Sequence, residues 1–179
     1  MQITHAPTSL RQKYCTGFTL IELMVILIIV AIVGGAGLPA MYRMTANNRI
    51  TTQTNELLAD INFARSEAIK QGKRIAILCQ GATCQDPQPS WNGGWAVFED
   101  VNGNGQLDID QNEPVFRVHD AINNSIQIRF NNNNIIIYGA NGRIAGGTAG
   151  SFTLRDNDNN GRNIIISPAG RARTETVNY

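Results

Sequence analysis

Phe18 to Leu38 holds a single charge, Glu22, and from Leu23 to Leu38 (LMVILIIVAIVGGAGL) there is none. As a helix, these roughly 21 residues would reach about 31 Å, enough to cross the hydrocarbon core of a bilayer. Arg11 and Lys13 lie on its N-terminal side, which fits a cytoplasmic N-terminus, with the rest of the chain beyond the membrane. A secretory signal would place its cleavage site after the apolar stretch. Here Gly17 stands immediately before Phe18-Thr19-Leu20-Ile21-Glu22, and the apolar stretch follows. Gly34, Gly35 and Gly37 weaken the helix, and Pro39 is expected to kink it.

Past Arg49 the texture is that of a soluble domain. Leu57, Leu58, Ile61, Ala64, Ala68 and Ile69 recur at helical spacing, with Glu56, Asp60, Arg65, Glu67 and Lys70 between them, and Gly72 is a stop signal. The pattern predicts one helix over 18–71, apolar throughout its first half and one-sided in its second. Strands are predicted at 74–79, 95–99, 115–118, 126–130, 135–138, 152–155 and 164–167, with a last one through 171–174, separated by Gly/Asn/Asp turns. One face of that sheet would receive the helix's apolar stripe. The expected fold class is α+β, a long N-terminal helix packed by its second half on antiparallel sheet.

The net charge of +1 leaves nucleic acid open, but the distribution is uneven. Seven acids and one base, Arg117, lie between Asp86 and Asp120; from Ala121 onward there are six arginines and three acids. Arginine suits bidentate phosphate or carboxylate contacts. Cys79 and Cys84 close a short loop, and in a translocated domain that suggests a disulfide, contributing roughly 2 kcal/mol by loop entropy. The competing reading, half a metal site, needs two more ligands, and no Cys or His lies near in sequence.

A carboxylate inside a membrane span is costly and normally has a partner. If the chain is cut after Gly17, Phe18 gains an amino group close to Glu22. In a filament, Glu22 of one subunit could meet the new N-terminus of its neighbour and set helix register. The bland alternative is an ordinary signal anchor with a tolerated acid near its end. Gly17-Phe18-Thr19-Leu20-Ile21-Glu22 resembles the prepilin peptidase site of type IV pilins and type II secretion pseudopilins, and Pro39 matches their helix-breaking proline. The resemblance implies cleavage between Gly17 and Phe18, N-methylation of Phe18 and an assembly role for Glu22.

A second resemblance covers most of the remaining chain. Asn55-Glu56-Leu57-Leu58 through Phe63-Ala64-Arg65-Ser66-Glu67-Ala68-Ile69-Lys70, Trp91-Asn92-Gly93-Gly94-Trp95-Ala96-Val97-Phe98-Glu99-Asp100 and Ile164-Ile165-Ile166-Ser167-Pro168-Ala169-Gly170-Arg171-Ala172-Arg173 are similar to the GspH/FimT/FimU minor pilins. It implies a minor pilin near the filament tip. The organisation would be a cleaved leader 1–17, a transmembrane and filament-core helix half 18–46, and a globular pilin domain 47–179. The partners would be prepilin peptidase, other pilins through the N-terminal helix, and the inner membrane before assembly into a cell-surface pilus.

Gly170-Arg171-Ala172-Arg173 carries the candidate binding function. In an extended segment Arg171 and Arg173 point to one face, each able to grip a phosphate. Gly170 permits an unusual backbone angle and close approach of a ligand. The alternative is a solvated edge strand whose charges discourage aggregation. The pattern is similar to the C-terminal GRxR of the FimT branch, which binds DNA in natural transformation, and so implies double-stranded DNA as a partner. Arg162 and Arg143, in Gly-rich turns, are candidate helpers. No run of surface aromatics suits single strands. Asp100-Val-Asn102-Gly-Asn104-Gly105-Gln-Leu-Asp108 starts like a calcium loop, but Gln111 stands where the closing glutamate belongs and Glu113 comes two residues late, so a turn is expected there. The Asp156–Gly161 cluster also reads as a turn. Trp91 and Trp95 read as packing residues, and His119 as structural. Metal-hydrolase, P-loop, dinucleotide and Ser-hydrolase motifs are absent, so neither an enzyme nor a cofactor is expected.

Overall fold

The computed structural model describes residues 17–85, 89–122, 125–145, 149–157 and 160–178. The expected leader, apart from Gly17, lies outside these residues. Helix α1 (Leu20–Gln71) is followed by eight strands: β1 (Ile75–Cys79), β2 (Trp95–Glu99), β3 (Val115–His119), β4 (Ile126–Phe130), β5 (Ile135–Tyr138), β6 (Gly150–Asp156), β7 (Asn160–Ile166) and β8 (Ala172–Asn178). The chain divides into two compact units, residues 1–42 and 43–179.

In the first unit, Thr19 caps α1. Its hydroxyl accepts the Glu22 N–H at 3.3 Å, and its carbonyl accepts the Leu23 N–H at 3.2 Å. Thr19-x-x-Glu22 is thus the sequence of a capping box, and a carboxylate in the first turn also favours the helix dipole. From Leu23 to Val33 the large apolar side chains described are all exposed. Among the described residues no helix is long and apolar enough to cross a membrane. The side chains of 36–40, where the expected span ends, lie outside the description, and α1 itself continues past Pro39.

In the second unit, α1 buries Ile50, Thr54, Leu57, Ile61, Ala64 and Ala68, a stripe at three- and four-residue steps. It ends at Gly72, whose φ of 67° lets the Lys73 N–H return to the Ala68 carbonyl at 3.2 Å. The strands form two antiparallel sheets, sheet A in the order β3-β2-β1-β5 and sheet B in the order β4-β6-β7-β8. One hydrophobic core takes residues from α1 and from both sheets. Trp91 and Trp95 are fully buried within it, as packing residues. Trp91 meets the Phe152 ring edge-on at 4.8 Å, and Phe152 stacks on Phe130 at 4.4 Å.

Polar contacts fasten α1 to sheet A. Buried Asp60 accepts from the Trp95 indole and from Arg117, each at 2.8 Å. His119 stacks on Trp95 at 4.0 Å and reaches Glu56 at 3.1 Å, a structural role. The calcium-like segment is a turn held from within. Buried Asp100 pairs with Arg74 at 2.9 Å, and Glu113 accepts the N–H groups of Val101 and Asp108. The late glutamate is therefore the staple of the loop.

Cys79 and Cys84 form a disulfide between the end of β1 and the following 3-10 turn (Ala82–Gln85). Cys84→Ser is expected to lower stability by about 2 kcal/mol, because so small a loop removes little entropy from the unfolded chain. A urea titration with and without reductant checks this; the reduced wild type should match the variant.

Candidate nucleic-acid interface

The turn before β8 is built by its own sequence. In Ser167-Pro168-Ala169-Gly170, the Gly170 N–H donates to the Ser167 carbonyl at 2.8 Å, and the Ser167 N–H donates to the Arg171 carbonyl at 3.0 Å. Pro presets the turn's second residue, and Gly170 takes a φ of 77°, the left-handed position such a hairpin loop requires. β8 then pairs with β7, Ile165 facing Arg173 and Asn163 facing Glu175.

Alternation fixes which face each side chain takes. Ile164 and Ile166 are buried, so their cross-strand partners Thr174 and Ala172 share the core face. Arg173 and Glu175 take the outer face, and Arg171, one residue ahead of β8, shares their parity; all three are exposed. Arg173 pairs with Glu175 at 3.2 Å, an exposed contact worth little against a competing phosphate.

Gly170 corrects the sequence reading. It is buried, and the close approach it permits is from the protein itself. A Cβ there would stand 2.1 Å from the Gly142 carbonyl oxygen and 3.0 Å from the Tyr138 ring. Tyr138 donates its hydroxyl to the Gly170 carbonyl at 3.3 Å, and burial pushes its phenol far above the ordinary range, so it stays protonated. Gly142 also accepts from Arg65 Nε at 3.0 Å, and the Ile144 N–H donates to Pro168. The turn bearing exposed Arg143 is thereby docked against the turn bearing Gly170.

Arg162 is a second correction. It lies within β7, not in a turn, in the row Leu154–Arg162–Thr176. That parity places it on the face opposite Arg171 and Arg173, and its Nε is buried without a hydrogen-bond partner. Two arginines that the sequence reading passed over, Arg129 and Arg155, are on the outer face instead. Gln127 faces Arg155 and Arg129 faces Thr153, in register with Asn163 and Glu175. The alternation of Ile126, Ile128 and Phe130 points Arg129 outward; joining it to Arg173 needs the pairing register.

Comparison with known proteins agrees with this architecture. A sequence model described as Type II transport protein GspH matches residues 53–170, and one for the prokaryotic N-terminal methylation motif matches residues 12–38. A fimbrial protein of Pseudomonas aeruginosa is 31% identical over 97 residues, covering 54% of this chain and 60% of the relative, so the chain spans about 60% of the length of that curated relative. A crystal structure of the P. aeruginosa type IV minor pilin FimU superposes with a TM-score of 0.60 at 25% identity, covering 74% of this chain and 92% of that one. A second crystal form of FimU gives a TM-score of 0.56, with coverages of 70% and 91%. The chain belongs to the GspH family, within the GspH/FimT/FimU group of minor pilins and pseudopilins.

Proposed function

We propose that this minor pilin binds extracellular duplex DNA, without sequence preference, through Arg171 and Arg173, for uptake in natural transformation. The observation that carries the reading is the placement of these two side chains. They stand together on an open sheet face, at the end of a turn clamped by Gly142 and Tyr138. A fixed backbone with exposed charged ends suits a phosphate chain, which needs position but no base code. Arg143, exposed on the turn docked beside Gly170, is the helper; Arg162 faces away.

The N-terminal helix supplies assembly in this reading. Cleavage after Gly17 frees the Phe18 amine for methylation, the exposed apolar first half of α1 sits in the inner membrane and then among other pilins, and Glu22 answers a neighbour's amine. The match to the methylation motif and the exposed side chains of residues 23–33 support this. Residues 1–17 are then leader, 18–46 anchor and filament core, and 47–179 the displayed domain.

The test is titration of random-sequence duplex with the full chain in neutral detergent, across a salt series. Arg171→Gln with Arg173→Gln is expected to weaken binding about tenfold at low salt and to flatten the log–log salt slope by about 2, at about 0.9 per lost phosphate contact. The thermal midpoint should stay unchanged. Unaltered binding by the double variant rejects these residues. The second reading is a structural subunit of a pilus or secretion pseudopilus that primes assembly without DNA; the Arg173–Glu175 pair favours it. Absence of binding by wild type at low salt selects it.

A further inference from the structure

We infer that the outer face of sheet B carries a second phosphate-binding patch, framed by Arg129 and Arg155, so that one subunit holds duplex DNA at two separated points; this rests on the DNA reading above. Gln127, Arg129, Asn131, Asn132, Thr153 and Arg155 line an open basin of about 580 Å³. Both arginines are exposed. Each guanidinium carries five N–H donors, so a local contact leaves others for a phosphate oxygen. The backbone under them is stiff. β4 pairs with β6 on one side, and on the other an isolated bridge joins Arg129 to Ser90.

The charge of this face is one-sided. Among its described strand positions, the basic residues are Arg129, Arg155 and Arg173, and the acid is Glu175, already paired to Arg173. Register gives the spacing. Arg129 stands three strands from Arg173 and two residues along, so their Cα atoms lie about 16 Å apart. Arg155 stands two strands and four residues from Arg173, about 17 Å. At that spacing, side chains standing upright from the sheet meet phosphates different from those met by the Arg171–Arg173 pair. The separation suits phosphates on the two walls of a duplex groove, about 12 Å wide in the major groove, bridged by two side chains. Each patch then adds its own counterion release, and their effects on the salt slope add.

The experiment repeats the salt series with Arg129→Gln/Arg155→Gln, with Arg129→Lys/Arg155→Lys, and with Lys70→Gln, an exposed cation on α1, as control. The glutamine pair is expected to weaken binding roughly tenfold and to flatten the slope by about 2, additively with Arg171→Gln/Arg173→Gln; the lysine pair should keep most of the affinity, and Lys70→Gln should resemble wild type. In unmodified protein, phenylglyoxal labelling mapped by mass spectrometry should show Arg129 and Arg155 protected by DNA, a readout independent of any variant's folding. If the glutamine pair behaves like Lys70→Gln, or both arginines label equally with and without DNA, while the Arg171/Arg173 variant loses binding, the second patch is wrong and the first stands. If wild type does not bind, both fall.

Discussion

Gly170→Ala is expected to destabilise the globular unit by about 3–4 kcal/mol, the largest effect of any single methyl added at this interface. Two costs combine. An L-residue at a φ of 77° is strained by about 1 kcal/mol or more. The new methyl would also stand 2.1 Å from the Gly142 carbonyl oxygen, which is backbone and itself held by Arg65, so the two turns must part. Gly103 is the internal control. Its φ of 78° is nearly the same, but its nearest neighbour is the Arg74 side chain at 3.9 Å. Gly103→Ala should therefore cost only the backbone share, about 1 kcal/mol. Chemical denaturation of both variants checks the difference. Equal losses would mean that the docked turns yield easily and that Gly170 serves φ alone. The glycine and the arginines of this tetrapeptide thus separate experimentally, one changing stability and the others changing binding at constant stability.

Asp60→Ala is expected to cost about 3 kcal/mol, and more than Asp60→Asn. The fully buried Trp95 indole N–H loses its acceptor, a penalty of about 1–3 kcal/mol. Arg117 loses its partner as well, but it is roughly half exposed and its guanidinium lies 3.9 Å from the Phe63 ring centroid, so water and the ring absorb part of that loss. Asparagine retains one carbonyl oxygen for the indole. A double-mutant cycle with Arg117→Met, read by urea unfolding, should return a coupling of about 1 kcal/mol. Additive losses would show that Asp60 serves Trp95 only.

These contacts also mark where the sequence was readable. The stripe Leu57, Ile61, Ala64, Ala68 announced the packed half of α1, because burial at helical period leaves a pattern in composition. β2, β4 and β5 fall where they were expected, each an apolar run between turn residues. β7 starts earlier than expected, at Asn160, since Asn160-Gly161-Arg162-Asn163 has turn chemistry and is held extended by β6 and β8 on either side. The error over Arg162 followed directly, as did the missed grouping of Arg129, Arg155 and Arg173. Which face an arginine takes is set by strand parity, but which arginines become neighbours is set by register between strands distant in sequence. Gly170 is the same lesson in reverse. A glycine beside two arginines invited a ligand, and only the tertiary fold reveals Gly142 in that space.

The fastenings along α1 have a mechanical consequence. Glu56 grips His119, Asp60 grips Trp95 and Arg117, and Arg65 grips Gly142, so the anchors sit one to three turns apart along the rod. A pull along the helix axis loads all of them in parallel, as shear, along with the buried stripe beneath. They must fail together, whereas a peeling force would break them one at a time. A subunit tugged lengthwise through α1 should therefore yield at far higher force than one levered sideways.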